Sequence, residues 1–165
     1  MAAVRAGEAS SSSTRRCSYE VFLSFRGKDT RKNFTDHLYT ALMQAGIRTF
    51  RDDDEIERGE DIKSELRKAI RESKFSIIVF SKNYASSKWC LDELVMILER
   101  TRTSQHVVLP VFYHVPPSEV RNQSGGFAEA FARYAEANEW MEKVQGWRKA
   151  LREVADLAGM ELKDG

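Results

Sequence analysis

Glu93 is the residue whose surroundings in the sequence most suggest chemistry. It sits in the stretch FSIIVFSKNYASSKWCLDELVMILER, which begins at Phe75 with an aromatic and β-branched run and continues through a polar loop into a helical pattern. Leu91, Leu94, Val95 and Leu98 recur at i, i+3, i+4 and i+7, one apolar stripe that must face a sheet. Glu93 lies off that stripe, about one turn into the helix and close to the flat ring of Trp89. In an open parallel sheet, ligands bind beyond the carboxyl ends of the strands, and the loop from Ser81 to Lys88 is such a place. A carboxylate there is a candidate site residue. It is also what a helix start recruits to meet its dipole and exposed N–H groups, as most first-turn acids are, and this stretch alone leaves the functional reading open.

The elements that would position Glu93 read as alternating strands and helices. Tyr19 to Phe25 predicts a first strand, closed by the turn chemistry of Arg26-Gly27-Lys28-Asp29. Phe34, Leu38, Ala41, Leu42 and Ala45 predict a helix from about Thr30, with Gly46 as its stop. Ile47 to Phe50 predicts a short second strand, and Ile62, Leu66, Ala69 and Ile70 a second helix. Phe75 to Phe80 is the third strand and Val107 to Phe112 the fourth, after which Pro116-Pro117 breaks the chain. Phe127, Ala130, Phe131 and Tyr134 suggest a short helix; Trp140, Val144, Trp147, Leu151, Val154 and Ala158 suggest a longer one crossing Gly146. Strands alternating with helices at these spacings call for βαβ crossovers and a parallel sheet covered on both faces, an α/β fold.

Other chemistries fail on spacing. SFRGKDT holds a Gly-Lys pair without the upstream glycine or the adjacent Ser/Thr of a P-loop, and G-x-G-x-x-G is missing too. A flavodoxin-type phosphate loop asks for hydroxyls at this turn, where only Ser24 and Thr30 stand. A receiver domain asks for acids after the first strand, whereas here they follow the second. His37, His106 and His114 are scattered with no nucleophile at a triad spacing, and each reads as structural or solvated. Between Arg51 and Asp61, seven acids and two arginines surround Gly59, a solvated loop or a partner contact.

The bulk composition narrows the class. The 165 residues suit one domain, and 42% hydrophobic with 31% charged residues is globular composition. A net charge of +1 gives no bulk field for nucleic acid or acidic membranes. No apolar run reaches the ~18 residues of a membrane helix. Cys17 and Cys90 form neither a disulfide framework nor a zinc site, and no metal site is expected. A cytoplasmic protein is the reading. Residues 1–17 are small, polar and serine-rich, a flexible leader rather than a secretion signal.

From Tyr19 to about Leu162 the chain resembles a Toll/interleukin-1 receptor (TIR) domain of the plant immune-receptor type. The resemblance is carried by YEVFLSFRGKDTRKNFTDHLYTAL, FRDDDEIERGEDI, SKNYASSKWCLDEL and VFYHVPPSEVRNQSGGFAEAF, in that order. It implies a flavodoxin-like fold of about five parallel strands. It also implies an NAD⁺-consuming hydrolase that signals in defence and cell death, with NAD⁺ as substrate and no cofactor. The catalytic glutamate of the family's W-C-L-x-E-L motif falls on Glu93; Phe25, Arg26, Gly27 and Trp89 would face the substrate, Arg26 holding a phosphate.

The same resemblance implies self-association with other TIR domains. The loop bearing Asp52, Asp53, Arg58 and Gly59 would complete a neighbour's site, and Asp36, His37 and Gly159 would lie at pairing surfaces. The localisation implied is cytoplasmic, with the nucleus a second compartment. Two departures stand out: residues 18–165 lack the family's last helix, and Met160 replaces a customary tryptophan in the fifth strand, Gly159 to Leu162. A non-catalytic adaptor or decoy that only pairs with other TIR domains is the alternative function.

Overall fold

The computed structural model describes residues 19–51, 60–138 and 140–163. Its centre is one parallel sheet of five strands in the order β2-β1-β3-β4-β5: β1 (Val21–Ser24), β2 (Thr49–Arg51), β3 (Phe75–Phe80), β4 (Val107–Tyr113) and β5 (Met160–Leu162). This is the flavodoxin-like order, in which β1 is flanked by β2 on one side and β3 on the other, so the connections reverse direction between β1 and β3. The register pairs Ser24 with Ile78 and Phe80 with Phe112, which lines up the carboxyl ends of the central strands.

Seven α-helices cover the sheet among the described residues. A one-turn α1 (Gly27–Thr30) passes through a π-helical turn (Arg31–Thr35) into α2 (Asp36–Gln44). Then come α3 (Glu60–Glu72), α4 (Lys88–Thr103), α5 (Pro117–Asn122), α6 (Gly126–Ala137) and α7 (Met141–Ala155). The expected stop at Gly46 is present, at φ +83°, a conformation a side chain would strain. Two expectations need correcting. Pro116-Pro117 does not only break the chain: Pro117 opens α5, because the first helical position has no N–H bond to lose. The long helix runs from Met141 to Ala155 instead of Trp140 to Ala158, since Trp140 adopts φ +64° and Asp156 closes the last turn through Arg152 O.

The two sheet faces are unequally covered. On one, Phe22, Ile78, Phe80 and Phe112 form the large core with Leu66 and Ile70 of α3, Leu91, Leu94 and Ile97 of α4, and Trp147 and Leu151 of α7. Phe80 and Phe112 stack with centroids 5.6 Å apart. On the other, Val21, Leu23, Phe25, Ile77, Val79 and Val111 are covered by Phe34, Leu38 and Leu42. Those side chains are only half-buried and α2 buries no residue completely, so Ala41 and Ala45 of the expected stripe face outward. On this face Val107 of β4 is 51% exposed and Met160 of β5, which pairs with Val111, is 55% exposed.

At the amino ends of the strands, His106 is buried between Ser76 Oγ at 2.7 Å and the Ser73 carbonyl at 3.0 Å. A carbonyl only accepts, so Nδ1 carries the proton and Nε2 accepts from Ser76. Burial holds the imidazole below the usual histidine range, opposed by the Ser73 bond and reinforced by the Arg100 charge. Among the described residues no helix is long and apolar enough to cross a membrane.

Candidate active site

Glu93 comes to the carboxyl end of β1, at the point where the connections reverse. Helix α4 is started by Ser87, whose Oγ accepts the Cys90 N–H at 3.1 Å, and Glu93 falls in its second turn. The expectation that Glu93 lies off the apolar stripe is corrected here. Glu93 is 2% exposed, on the same side of α4 as Cys90, Leu91, Leu94 and Ile97, while Val95 is only half-buried. The buried face is rotated from the stripe read in the sequence because Cys90 and Glu93, neither counted as apolar there, point at the sheet.

A buried carboxylate needs hydrogen bonds, and the β1 end supplies one. Ser24 Oγ donates to Glu93 Oε1 at 2.9 Å. Ser24 Oγ also lies 2.9 Å from the Tyr84 hydroxyl, which is 3.1 Å from the Cys90 carbonyl. Cys90 Sγ in turn donates to the Phe25 carbonyl at 3.4 Å. The last residues of β1, the 3₁₀ turn Tyr84–Ser86 and the start of α4 are thus tied into one polar cluster.

The loop after β3 is held from two sides. Asp29, on α1, forms an ion pair with Arg26 at 2.7 Å and accepts the Ser81 hydroxyl and the Asn83 backbone N–H through its other oxygen. From α6, Arg133 donates to Ser86 Oγ at 2.7 Å and Tyr134 donates to the Ala85 carbonyl at 2.6 Å. Burial, above all, raises the Tyr134 hydroxyl to about 12, so it stays a donor throughout the physiological range. Gly126 is required beside this loop, because a Cβ there would strike the Lys82 carbonyl.

The other residues singled out in the sequence fall as follows. Phe25 is buried in the smaller core and turns backbone towards the cluster. Gly27 is buried at the start of α1, and Arg26 keeps one guanidinium nitrogen on Asp29. Trp89 is half-buried against the large core, with Lys63 Nζ 5.7 Å from its ring. Asp92, adjacent to Glu93 in sequence, joins three helices instead: it accepts Trp147 Nε1 at 3.1 Å and pairs with Lys143 and Lys63 at 3.4 and 3.8 Å. Asp36 and His37 are exposed on α2, Asp36 pairing with Arg51 at 3.1 Å. Gly159 precedes β5, where a Cβ would collide with the Pro110 carbonyl. Asp52, Asp53, Arg58 and Gly59 lie outside the described residues, as do residues 1–17.

Sequence reasoning did not pick out Ser24, Tyr84, Asp29 and Ser81 for this site. Ser24 carried a signal, a lone hydroxyl in the apolar run Val21 to Phe25, yet it was weighed only as a phosphate-loop residue. Tyr84 carried none, because its link to Ser24 spans 60 residues.

Comparison with known proteins agrees with this fold. The family profile described as TIR domain matches residues 18–164. The chain is 57% identical over 169 residues to disease resistance protein RPV1 of Vitis rotundifolia, covering 99% of this chain and 12% of that protein. It is 55% identical over 152 residues to TMV resistance protein N of Nicotiana glutinosa, covering 92% and 13%. Among solved structures it superposes, with a TM-score of 0.79 and 54% identity over 87% of both chains, on the TIR domains of the activated Roq1 resistosome directly recognizing the pathogen effector XopQ. The chain spans about an eighth of the length of these curated relatives. With the sheet order, the matched profile and these relatives in agreement, the chain belongs to the TIR domain family.

Proposed function

We propose that this TIR domain is an NAD⁺ glycohydrolase that acts in plant defence signalling leading to cell death, and that self-association switches it on. The observation that carries the reading is the Glu93 carboxylate, buried and hydrogen-bonded at the carboxyl end of β1, where open parallel sheets bind ligands. Cleaving the nicotinamide–ribose bond builds oxocarbenium character at the anomeric carbon, and nicotinamide departs as a neutral group that needs no general acid. Glu93 holds the ribose hydroxyls and stabilises the developing positive charge. Trp89 packs against the substrate. The turn Phe25-Arg26-Gly27 faces the nucleotide, and Arg26, oriented by Asp29, holds a phosphate. The products are nicotinamide with ADP-ribose or a cyclic form of it.

The 2% exposure of Glu93 supports activation by assembly, since a covered carboxylate meets substrate only when neighbouring segments rearrange. The segment bearing Asp52, Asp53, Arg58 and Gly59 contributes to a neighbour's site, while Asp36, His37 and the segment at Gly159 pair with other TIR domains. The resistosome assembly of its Roq1 relative supports this reading. The domain works in the cytoplasm and, as a second compartment, the nucleus.

The same low exposure favours the competing function, an adaptor whose TIR surface recruits other TIR domains without turnover. Nicotinamide release from NAD⁺, followed against protein concentration for wild type and Glu93→Gln, separates the two. The hydrolase predicts release that rises more steeply than linearly with wild-type protein and is lost in Glu93→Gln. No release from folded, self-associating wild type establishes the adaptor.

A further inference from the structure

We propose that Ser24 and Tyr84 are positioning residues for Glu93, forming a reversible chain of two hydroxyls that keeps the carboxyl group hydrogen-bonded whether or not it carries a proton. The chain runs from Glu93 Oε1 to Ser24 Oγ at 2.9 Å, to Tyr84 Oη at 2.9 Å, and to the Cys90 carbonyl at 3.1 Å. All four residues are at most 2% exposed, so solvent does not substitute for a missing partner.

Counting protons gives the chain its two states. With Glu93 ionised, Ser24 gives its proton to Oε1, and Tyr84 gives its own to Ser24 Oγ or to the Cys90 carbonyl. With Glu93 protonated, the sense reverses: the carboxylic acid donates to Ser24, Ser24 to Tyr84, and Tyr84 to the Cys90 carbonyl, which can only accept. Three contacts then share three protons. Only hydroxyl hydrogens turn between the states; no heavy atom has to move, which suits a group packed against the sheet.

This inference rests on Glu93 being the working carboxylate proposed above, and it adds that Glu93 serves as a proton acceptor. In hydrolysis, a water oxygen forms the new bond to the anomeric carbon while the bond to the nicotinamide nitrogen breaks. The bonding pair leaves with that nitrogen and neutralises the ring, and the proton lost by the water passes to Glu93 and on to solvent. A carboxylate fixed in a site able to hold only its ionised form would resist that proton.

The test reads the titration of Glu93 directly, without substrate. The infrared band of its protonated carboxyl, assigned by its loss in Glu93→Gln, is followed against pH in wild type, Tyr84→Phe and Ser24→Ala. Tyr84→Phe keeps the ring packed edge-on against Phe80, 5.0 Å away, but removes the acceptor Ser24 needs in the protonated state, so Glu93 should protonate at lower pH. Ser24→Ala removes the donor to the ionised state, so Glu93 should protonate at higher pH. Opposite shifts are the signature; a merely structural loss would not give them.

Cys90 and Asp92 on the same helix, Asp92 with its partners Lys63 and Lys143, and the Arg26–Asp29 pair in the turn after β1 are common to the three proteins. No shift, or shifts in one direction, overturns the inference. In nicotinamide release, Tyr84→Phe should lower kcat about tenfold with KM changed less than about twofold. A wild type that releases no nicotinamide defeats the hydrolase reading, and the infrared titration still decides whether the chain is reversible.

Discussion

Asp29 accepts the backbone N–H of Asn83 at 3.1 Å, and this bond closes the turn after β1 onto the loop after β3. The same carboxylate pairs with Arg26 and accepts the Ser81 hydroxyl, so one acid sets the spacing of the two loops that flank the site. Replacing it by alanine strands partly buried donors. Asp29→Ala should cost about 1–3 kcal/mol, a fall in Tm of several degrees for a domain of this size, measured by thermal unfolding. With Arg26 no longer held, KM for NAD⁺ should rise more than kcat falls.

Two glycines make opposite predictions. Gly159 has no room for a side chain, because a Cβ would enter the Pro110 carbonyl of the neighbouring strand. Gly159→Ala should therefore destabilise by about 1–3 kcal/mol through strain and loosened β4–β5 pairing. Gly146 lies inside α7, and a Cβ added there would meet nothing within 4 Å. Gly146→Ala should stabilise by about 0.5–1 kcal/mol by lowering the entropy of the unfolded chain. Chemical denaturation of both variants checks the pair.

His106 should set part of the acid limb of stability. Its native value lies below the unfolded one near 6.5, so between the two the unfolded chain binds the extra proton. This contribution to stability is fully present above about pH 6.5 and is lost as pH falls through that value towards the lower native one. Unfolding free energies at several pH values for wild type and His106→Gln should differ in slope across that window and run parallel above it.

The exposed side chains of Val107 and Met160 should govern solubility more than stability. Both are more than half exposed, so a double substitution to lysine removes little burial. It should change Tm by no more than a few degrees and reduce concentration-dependent light scattering, read on the same samples.

The alternation of strands and helices was legible because each strand is a short apolar run between turn residues, and Gly46 marks a real left-handed stop. Glu93 was legible as an acid near a helix start beyond a strand. Its burial was not, since helical phase depends on what Cys90 and Glu93 meet, and they meet Phe25 and Ser24, more than sixty residues earlier in the chain. Only the parallel register brings those partners together. The short helix at Pro117 stayed hidden for a local reason: proline stops a helix from within but is well suited to begin one.

Cys90 gives the site a clock. Its thiol is buried one turn from Glu93 and donates to the Phe25 carbonyl, so a thiol reagent reaches it only when β1, the 3₁₀ turn and α4 part. In a Cys17→Ser background the rate of labelling at Cys90 counts those openings. Slow labelling of single chains that quickens as chains assemble would time the uncovering of the carboxylate itself.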